Sequence, residues 1–159
     1  MRERFRMKCT SLDTSIGYLL GITYRKLSNL LQLQIKSLDM TPEQWSVLYR
    51  ISEREGMIQK EIGERAGKDK PTTTRILDLL EGKGYIYRTP GEQDKRSFQI
   101  YATEAGKQVI RTIAPIEMQM VEDASEGLSA EQYEQLLDWI RQIDRNVDRL
   151  TEKLRGEIE

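Results

Sequence analysis

The sequence lacks histidine altogether and contains a single cysteine, Cys9. Without histidine there is no Ser-His-Asp triad and no histidine-ligated zinc site, and one cysteine allows neither a CxxC pair nor an internal disulfide. A Gly-rich phosphate loop and paired carboxylates in a recognisable catalytic setting are also missing. We therefore predict that the chain is not an enzyme and that it needs no cofactor and no metal.

Long apolar runs are missing as well. The longest, around residues 16–22, is too short to span a bilayer. The basic start (Arg2, Arg4, Arg6, Lys8) resembles a signal peptide, but no small-residue cleavage site follows and the helical pattern continues. Together with the lone cysteine, this predicts a cytoplasmic protein.

The chain has almost no surplus of either charge, but its basic and acidic side chains are unevenly distributed. The chain has 25 basic and 26 acidic side chains, for a net charge of −1. Residues 97–159 hold 13 of the acidic side chains and only 7 of the basic ones, so the first two thirds are basic. The charged residues of these segments either form solvated helix faces or have different partners, in which case the basic parts face a polyanion and the acidic part lies elsewhere.

Apolar spacings of three and four predict a first helix over about residues 13–38 and a long last helix. The last helix opens at Ser129, whose capping box is completed by Gln132. Both helices are too long and too amphipathic for the centre of the chain to cover. We expect their apolar stripes to pack against each other and against a second chain.

The centre predicts three shorter helices. One starts at the capping box Thr41–Gln44 and ends near residues 55–56, and the next covers 59–66 and ends at Gly67. The third starts near residues 69–71, places Ile76, Leu79 and Leu80 inward, and stops at 82–84. Two short helices joined by a glycine-containing turn indicate a helix-turn-helix.

After residue 84 the spacing of the apolar residues changes from the helical period to alternation. Residues 85–89 and 96–103 predict a hairpin with Ile86, Phe98 and Ile100 on one face and a charged tip between the strands. Thr103 then caps a fifth helix, which Pro115 should kink or split.

The predicted fold class is therefore mainly α with a small β-hairpin wing: a winged helix-turn-helix domain plus a helical dimerisation region built from the terminal helices. The boundaries are 1–38 for the N-terminal arm and first dimerisation helix, 39–102 for the DNA-binding domain and 103–159 for the C-terminal dimerisation helices.

In such a domain the second short helix enters the major groove with its N-terminal residues nearest the bases. Threonine hydroxyls there can donate to phosphate oxygens, their methyl groups can touch thymine methyls, and basic residues add charge. The predicted DNA-binding residues are Lys60, Lys68, Lys70, Thr72, Thr73, Thr74, Arg75, Arg88, Asp94, Lys95 and Arg96. For an isolated threonine run, simple capping of a helix would be the better interpretation; the flanking turn and hairpin favour DNA.

The chain resembles the MarR family of transcriptional regulators over about residues 13–150. The motifs are "LDMTPEQWSVL", "TTTRILDLLEGKGYIYR", "DKRSFQI" and "YATEAGK", in this order. The resemblance implies a cytoplasmic homodimer with two lobes that read a pseudo-palindromic operator in double-stranded DNA. It also assigns the wing's Asp-x-Arg motif to Asp94 and Arg96, where the arginine reaches the minor groove and the aspartate holds it.

Two positions depart from the family pattern. Ile58 stands where many relatives have a threonine or serine cap, so the third helix should lack a capping side chain. The peroxide-sensing branch has its reactive cysteine at the position of Gly17, whereas Cys9 lies eight residues earlier. A bystander thiol is the favoured interpretation of Cys9, although Arg6 and Lys8 would lower its pKa in a redox sensor.

Many members of this family bind small phenolic anions between the dimerisation helices and the DNA-binding lobe. Aromatic walls and one cation for such an effector would come from Tyr18, Tyr24, Arg25, Trp45 and Tyr49, although aromatic residues at helical spacing are more often core. The leading hypothesis is a DNA-binding repressor that a small aromatic or anionic effector releases. The alternatives are a helical dimeric adaptor for a protein partner and a thiol-based redox-sensing regulator that uses Cys9.

Overall fold

The computed structural model describes residues 11–91 and 97–156 and shows helices around a small sheet. The helices are α1 (Ile16–Ile35), α2 (Pro42–Glu53), α3 (Gln59–Ala66), α4 (Lys70–Gly82), α5 (Glu104–Ala124) and α6 (Ala130–Gly156). The strands are β1 (Met57–Ile58), β2 (Ile86–Pro90) and β3 (Phe98–Ala102). Short 3-10 turns at Leu12–Thr14 and Lys36–Leu38 flank α1. The winged helix-turn-helix fold predicted from the sequence is confirmed.

Packing divides the chain into two compact units, Met1–Met120 and Val121–Glu159. The predicted functional division into residues 1–38, 39–102 and 103–159 does not depend on packing alone, and it stays a prediction. Within the described residues, none of the helices has the length and apolar character that crossing a membrane requires.

The core of the first unit lies between the short helices and the sheet. Its fully buried side chains are Ile35, Met40, Leu48, Ile51, Met57, Ile62, Ile76, Leu77, Leu80, Ile86, Ile100 and Ile113. The predicted inward face of α4 was wrong at one position, because Leu79 is 41% exposed and Leu77 is buried in its place. Whether an apolar residue at the edge of a helix stripe is buried depends on the elements that pack against it, and periodicity alone does not show these.

The sheet has three antiparallel strands in the order β1-β3-β2. Ile86 pairs with Ala102, and Met57 of β1 pairs with Ile100, so these buried side chains form one face. Phe98, predicted on the same face, is 50% exposed because it lies at the strand end, beyond the core. The sequence analysis did not predict β1, whose two residues form a strand only through pairing with β3.

The helix starts follow the predicted caps. The Thr41 hydroxyl accepts a hydrogen bond from Gln44 N at 3.2 Å, and Ser129 accepts one from Gln132 N at the same distance. Thr103 caps α5 by accepting from Gly106 N at 3.0 Å. α3 has no capping side chain, as the isoleucine at position 58 predicts. α5 continues through Pro115 without splitting.

The two terminal helices are largely uncovered within their own units. In α1 only Leu31 and Ile35 are buried, while Leu19 and Leu33 are 46% and 73% exposed. In α6 none of the residues from 130 to 156 is buried, and Trp139 is 60% exposed. Both helices therefore present apolar side chains to solvent in the single chain.

Candidate nucleic-acid interface

A close contact between α3 and α4 fixes the helix-turn-helix. Gly67 ends α3 in the left-handed conformation (φ +62°), and Lys68 N donates to Gly63 O at 2.9 Å. At Gly63 an added Cβ would lie 2.8 Å from the Thr73 hydroxyl oxygen and 3.2 Å from Lys68 O. The start of α4 thus sits where only a glycine in α3 leaves room for it.

The first turn of α4 is capped by Asp69. Its carboxylate accepts from Thr72 N at 2.7 Å, and its backbone carbonyl accepts from Thr73 N at 2.9 Å. The bond from Thr72 N, and then the bond from the Thr72 hydroxyl, hold the pKa of Asp69 below its ordinary value of 3.8. These amides therefore already have an acceptor inside the protein and are not available to bind phosphate.

Thr73 is a structural residue of the turn. It is only 1% exposed, and its hydroxyl donates to Asp69 O at 2.7 Å while packing against Gly63. The sequence analysis expected this threonine at the DNA surface; the structure places it in the core because α3 crosses α4 there. It therefore has no surface to offer to DNA.

Thr74 is half-buried and connects α4 to α3. Its hydroxyl donates to Lys70 O at 2.9 Å and accepts from Gln59 Nε2 at 2.6 Å. Gln59 was not among the predicted site residues. The signal that would have found it is its place as the first residue of α3, since helices that cross near their starts bring such residues together.

Three of the predicted cations are open to solvent. Lys70 and Arg75 are exposed on α4, and neither forms an ion pair with a carboxylate in the described parts of the chain. Lys60 on α3 has a side chain that is 80% exposed and lies 3.9 Å from Glu64, a weak pairing in water. These three residues place exposed positive charge on the α3–α4 side of the domain.

Two other predicted cations brace the fold instead. Lys68 lies 3.1 Å from Glu43 of α2, with its side chain only 17% exposed. Arg88 bridges β2 to α4 through Asp78 at 2.7 Å and through Glu81, and its side chain is 22% exposed. The expectation of two free DNA-binding charges does not match these partners, because each cation is neutralised by carboxylates that were distant in sequence.

The hairpin closes where Gly91 N donates to Ser97 O at 2.8 Å. The wing-tip residues Asp94, Lys95 and Arg96 lie outside the described residues, as does Cys9. Their predicted roles stay predictions.

A cleft of about 400 Å³ lies between α1, α2 and the middle of α4. It brings together two of the predicted ligand residues, Tyr24 and Arg25, with Arg75 of α4. The polar residues of its wall that sequence analysis missed are Ser28, Asn29, Gln32, Thr41, Glu43 and Gln44.

The other predicted ligand residues do not line this cleft. Trp45 and Tyr49 pack against each other on α2 with ring centroids 5.4 Å apart, and Tyr18 is 41% exposed on α1. Among residues 11–91 and 97–156, no group of three or more carboxylate or cysteine side chains has an arrangement that would hold a metal ion.

Comparisons with known proteins agree with this geometry. The family profile described as "MarR family" matches residues 40–98, from the start of α2 into β3. The uncharacterised HTH-type transcriptional regulator YybA of Bacillus subtilis (strain 168) is 30% identical over 130 residues, which are 82% of this chain and 87% of YybA.

Solved structures give the same result. The transcriptional regulator SlyA superposes with a TM-score of 0.80 and 33% identity, covering 86% of this chain and 96% of SlyA. The transcriptional repressor CouR, bound to a 23-mer DNA duplex, superposes with a TM-score of 0.76 and 26% identity over 87% of this chain and 99% of CouR. The chain thus belongs to the MarR family of transcriptional regulators.

Proposed function

We propose that this protein is a homodimeric, sequence-specific DNA-binding repressor that reads a pseudo-palindromic operator and is released by a small aromatic anion. The observation that carries the proposal is the α3–α4 face, where Lys60, Lys70 and Arg75 are exposed beside a recognition helix. The relative CouR is a transcriptional repressor that binds duplex DNA with a similar fold, which supports this role for the present chain.

Contact with DNA is divided between α4 and the hairpin. Lys70 and Arg75 bind phosphates on either side of the major groove, since they have no carboxylate partner in the described residues to give up. Arg96, supported by Asp94, enters the minor groove from the wing, and Lys95 adds charge. Lys68 and Arg88 hold the turn and the hairpin in position for these contacts.

Dimerisation follows from the exposed apolar residues of the terminal helices. α1 leaves Leu19, Leu30 and Leu33 uncovered within its unit, and α6 leaves Trp139 and Leu150 uncovered in the other. Exposed apolar faces of this length mark an interaction surface. A second copy of the chain covers them and supplies the second lobe that a two-fold symmetric operator requires.

The cleft suggests how an effector releases DNA. Arg75 belongs both to the cleft wall and to the exposed surface of α4. A small aromatic anion in the cleft stacks on Tyr24 and pairs with Arg25 and Arg75. The guanidinium of Arg75 then loses its free charge for phosphate, so ligand and operator compete for one side chain.

The deciding experiment selects duplexes from a random pool with the purified protein and measures affinity against salt. If the dimer neutralises about 6–10 phosphates, affinity should fall roughly 10³–10⁵-fold between 50 and 200 mM salt. Arg75→Ala should lower the salt slope by about 2 in a dimer, one phosphate per protomer. The matched control is Arg111→Ala, which removes another exposed arginine, one that is paired with Glu104 on α5. Failure to enrich any duplex at low salt would contradict the proposal.

A further inference from the structure

Two of the three threonines at the start of α4 use their hydroxyl hydrogens inside the protein. Thr73 donates to Asp69 O at 2.7 Å, and Thr74 donates to Lys70 O at 2.9 Å. A hydroxyl has one hydrogen to donate. Neither Thr73 nor Thr74 can therefore donate to a phosphate or a base without breaking a bond that holds the first turn of the helix.

Thr74 is also restrained from the α3 side. Gln59 Nε2 donates to its hydroxyl oxygen at 2.6 Å, so that oxygen both donates and accepts within the protein. Because two hydrogen bonds hold the hydroxyl group on Cβ of Thr74, the χ1 rotamer of this side chain is fixed as well. The group of Thr74 that has no partner is its γ-methyl.

The outer surface of α4 at this residue is apolar. A shallow depression in this surface is lined by Lys70, Pro71, Thr74, Arg75, Asp78 and Leu79. Leu79 is 41% exposed although it is a large apolar residue, and the Asp78 carboxylate is occupied by Arg88. Apolar groups that line one depression together with the cations Lys70 and Arg75 match a base edge flanked by phosphates.

From this arrangement we propose that Thr74 reads the 5-methyl group of a thymine in the major groove through van der Waals contact. Among the four bases only thymine presents a methyl group there. The proposal rests on the proposed function and makes it specific: each half-site carries a thymine opposite Thr74, which acts through its methyl group and not through hydroxyl donation.

The test uses an operator obtained by selection from a random pool, with each thymine replaced in turn by uracil, which lacks only the 5-methyl group. Affinities are measured for the wild type and for three variants. Thr74→Val keeps the methyl and removes the hydroxyl; Thr74→Ser keeps the hydroxyl and removes the methyl. Thr72→Ser is the matched control, because it removes a methyl from a neighbouring residue that does not line the depression. Circular dichroism confirms that each variant is folded.

One thymine-to-uracil position per half-site should weaken the wild type, Thr74→Val and Thr72→Ser by about fourfold per methyl, as expected for burial of one CH₂-sized group. Thr74→Ser should bind the thymine operator and the uracil operator with equal affinity. Indifference of the wild type to every uracil replacement would overturn the inference and leave the proposed function standing. Full sensitivity of Thr74→Ser to the uracil replacement would also overturn the inference and leave the proposed function standing. If the wild type enriched no duplex at all, both proposals would fall.

Discussion

Asp69 shows at the residue scale how one carboxylate starts the recognition helix. It is exposed, and the N–H and hydroxyl of Thr72 hold its pKa below 3.8. A group whose pKa is lower in the folded than in the unfolded protein stabilises the fold above its unfolded pKa. That contribution is lost as the pH falls through the folded value.

We therefore expect Asp69→Ala to lower the melting temperature at pH 7, because Thr72 N loses its acceptor. The difference from the wild type should narrow as the pH is lowered below about 4, where the wild-type carboxylate also becomes protonated. Thermal melts at pH 7, 5 and 3 measure this. Asp69→Asn is the control, since it keeps a cap oxygen but does not titrate; a pH-independent difference for Asp69→Ala would contradict the assignment.

Gly63 is the second residue that controls this region. A Cβ there would lie within 2.8 Å of the Thr73 oxygen and 3.2 Å of the Lys68 carbonyl oxygen, so the helices must separate. Gly63→Ala should cost about 1–3 kcal/mol in the free energy of unfolding. Urea denaturation measures the cost. The control is Gly82→Ala at the end of α4, where nothing lies within 4 Å and the change should be neutral or stabilising. Equal effects of the two substitutions would show that the close crossing is unimportant.

At the scale of elements, the helix starts were predictable because their signals are local. Thr41 with Gln44, and Ser129 with Gln132, are three residues apart, and each pair forms the expected reciprocal bonds. Gly67 likewise ends α3 with the positive φ that its type allows. Such features depend on neighbours in sequence, so sequence alone can identify them.

The features that were not predicted depend on distant partners. β1 forms by pairing with β3, more than forty residues later. Arg88 looks like a free cation in sequence, but the fold brings Asp78 and Glu81 against it. Thr73 looks like its two neighbours, yet only its side chain turns toward Gly63. The sequence therefore predicted the elements that carry the candidate site, while the division between structural and exposed side chains required the tertiary contacts.

The position of α5 depends on another backbone approach. A Cβ on Gly106 would lie 2.2 Å from the carbonyl oxygen of Tyr85, a contact with backbone that no rotamer change relieves. Tyr85 O also accepts from Thr103 N at 2.9 Å, which fixes the start of α5 against the strand. Gly106→Ala should therefore destabilise the first unit by about 3 kcal/mol or more. Calorimetry on this variant and on Ala105→Gly, a change in the same helical turn, separates the clash from helix propensity, which costs about 1 kcal/mol.

At the scale of the whole molecule, one chain leaves apolar surface uncovered in each of its two units. The 27-residue helix α6 has no buried residue, although Leu136, Trp139, Val147, Leu150 and Leu154 recur along it. Helices that are stable in water bury such a stripe against a partner. In the proposed homodimer, association of two chains would supply that burial and would give DNA a two-fold symmetric pair of lobes.

Leu150→Glu tests this directly, because it places a charge within the apolar stripe of α6, where Leu150 is 56% exposed in the single chain. Sedimentation at micromolar concentration should show a dimer for the wild type and a monomer for the variant, since an unpaired charge buried in an interface costs several kcal/mol. Affinity for a palindromic operator should then fall by about 10²-fold or more, because the second lobe is no longer held at a high effective concentration. The matched control is Glu152→Gln, a change on the polar side of the same helix, which should stay dimeric. A Leu150→Glu protein that remained a dimer with full operator affinity would show that this face of α6 does not hold the two chains together.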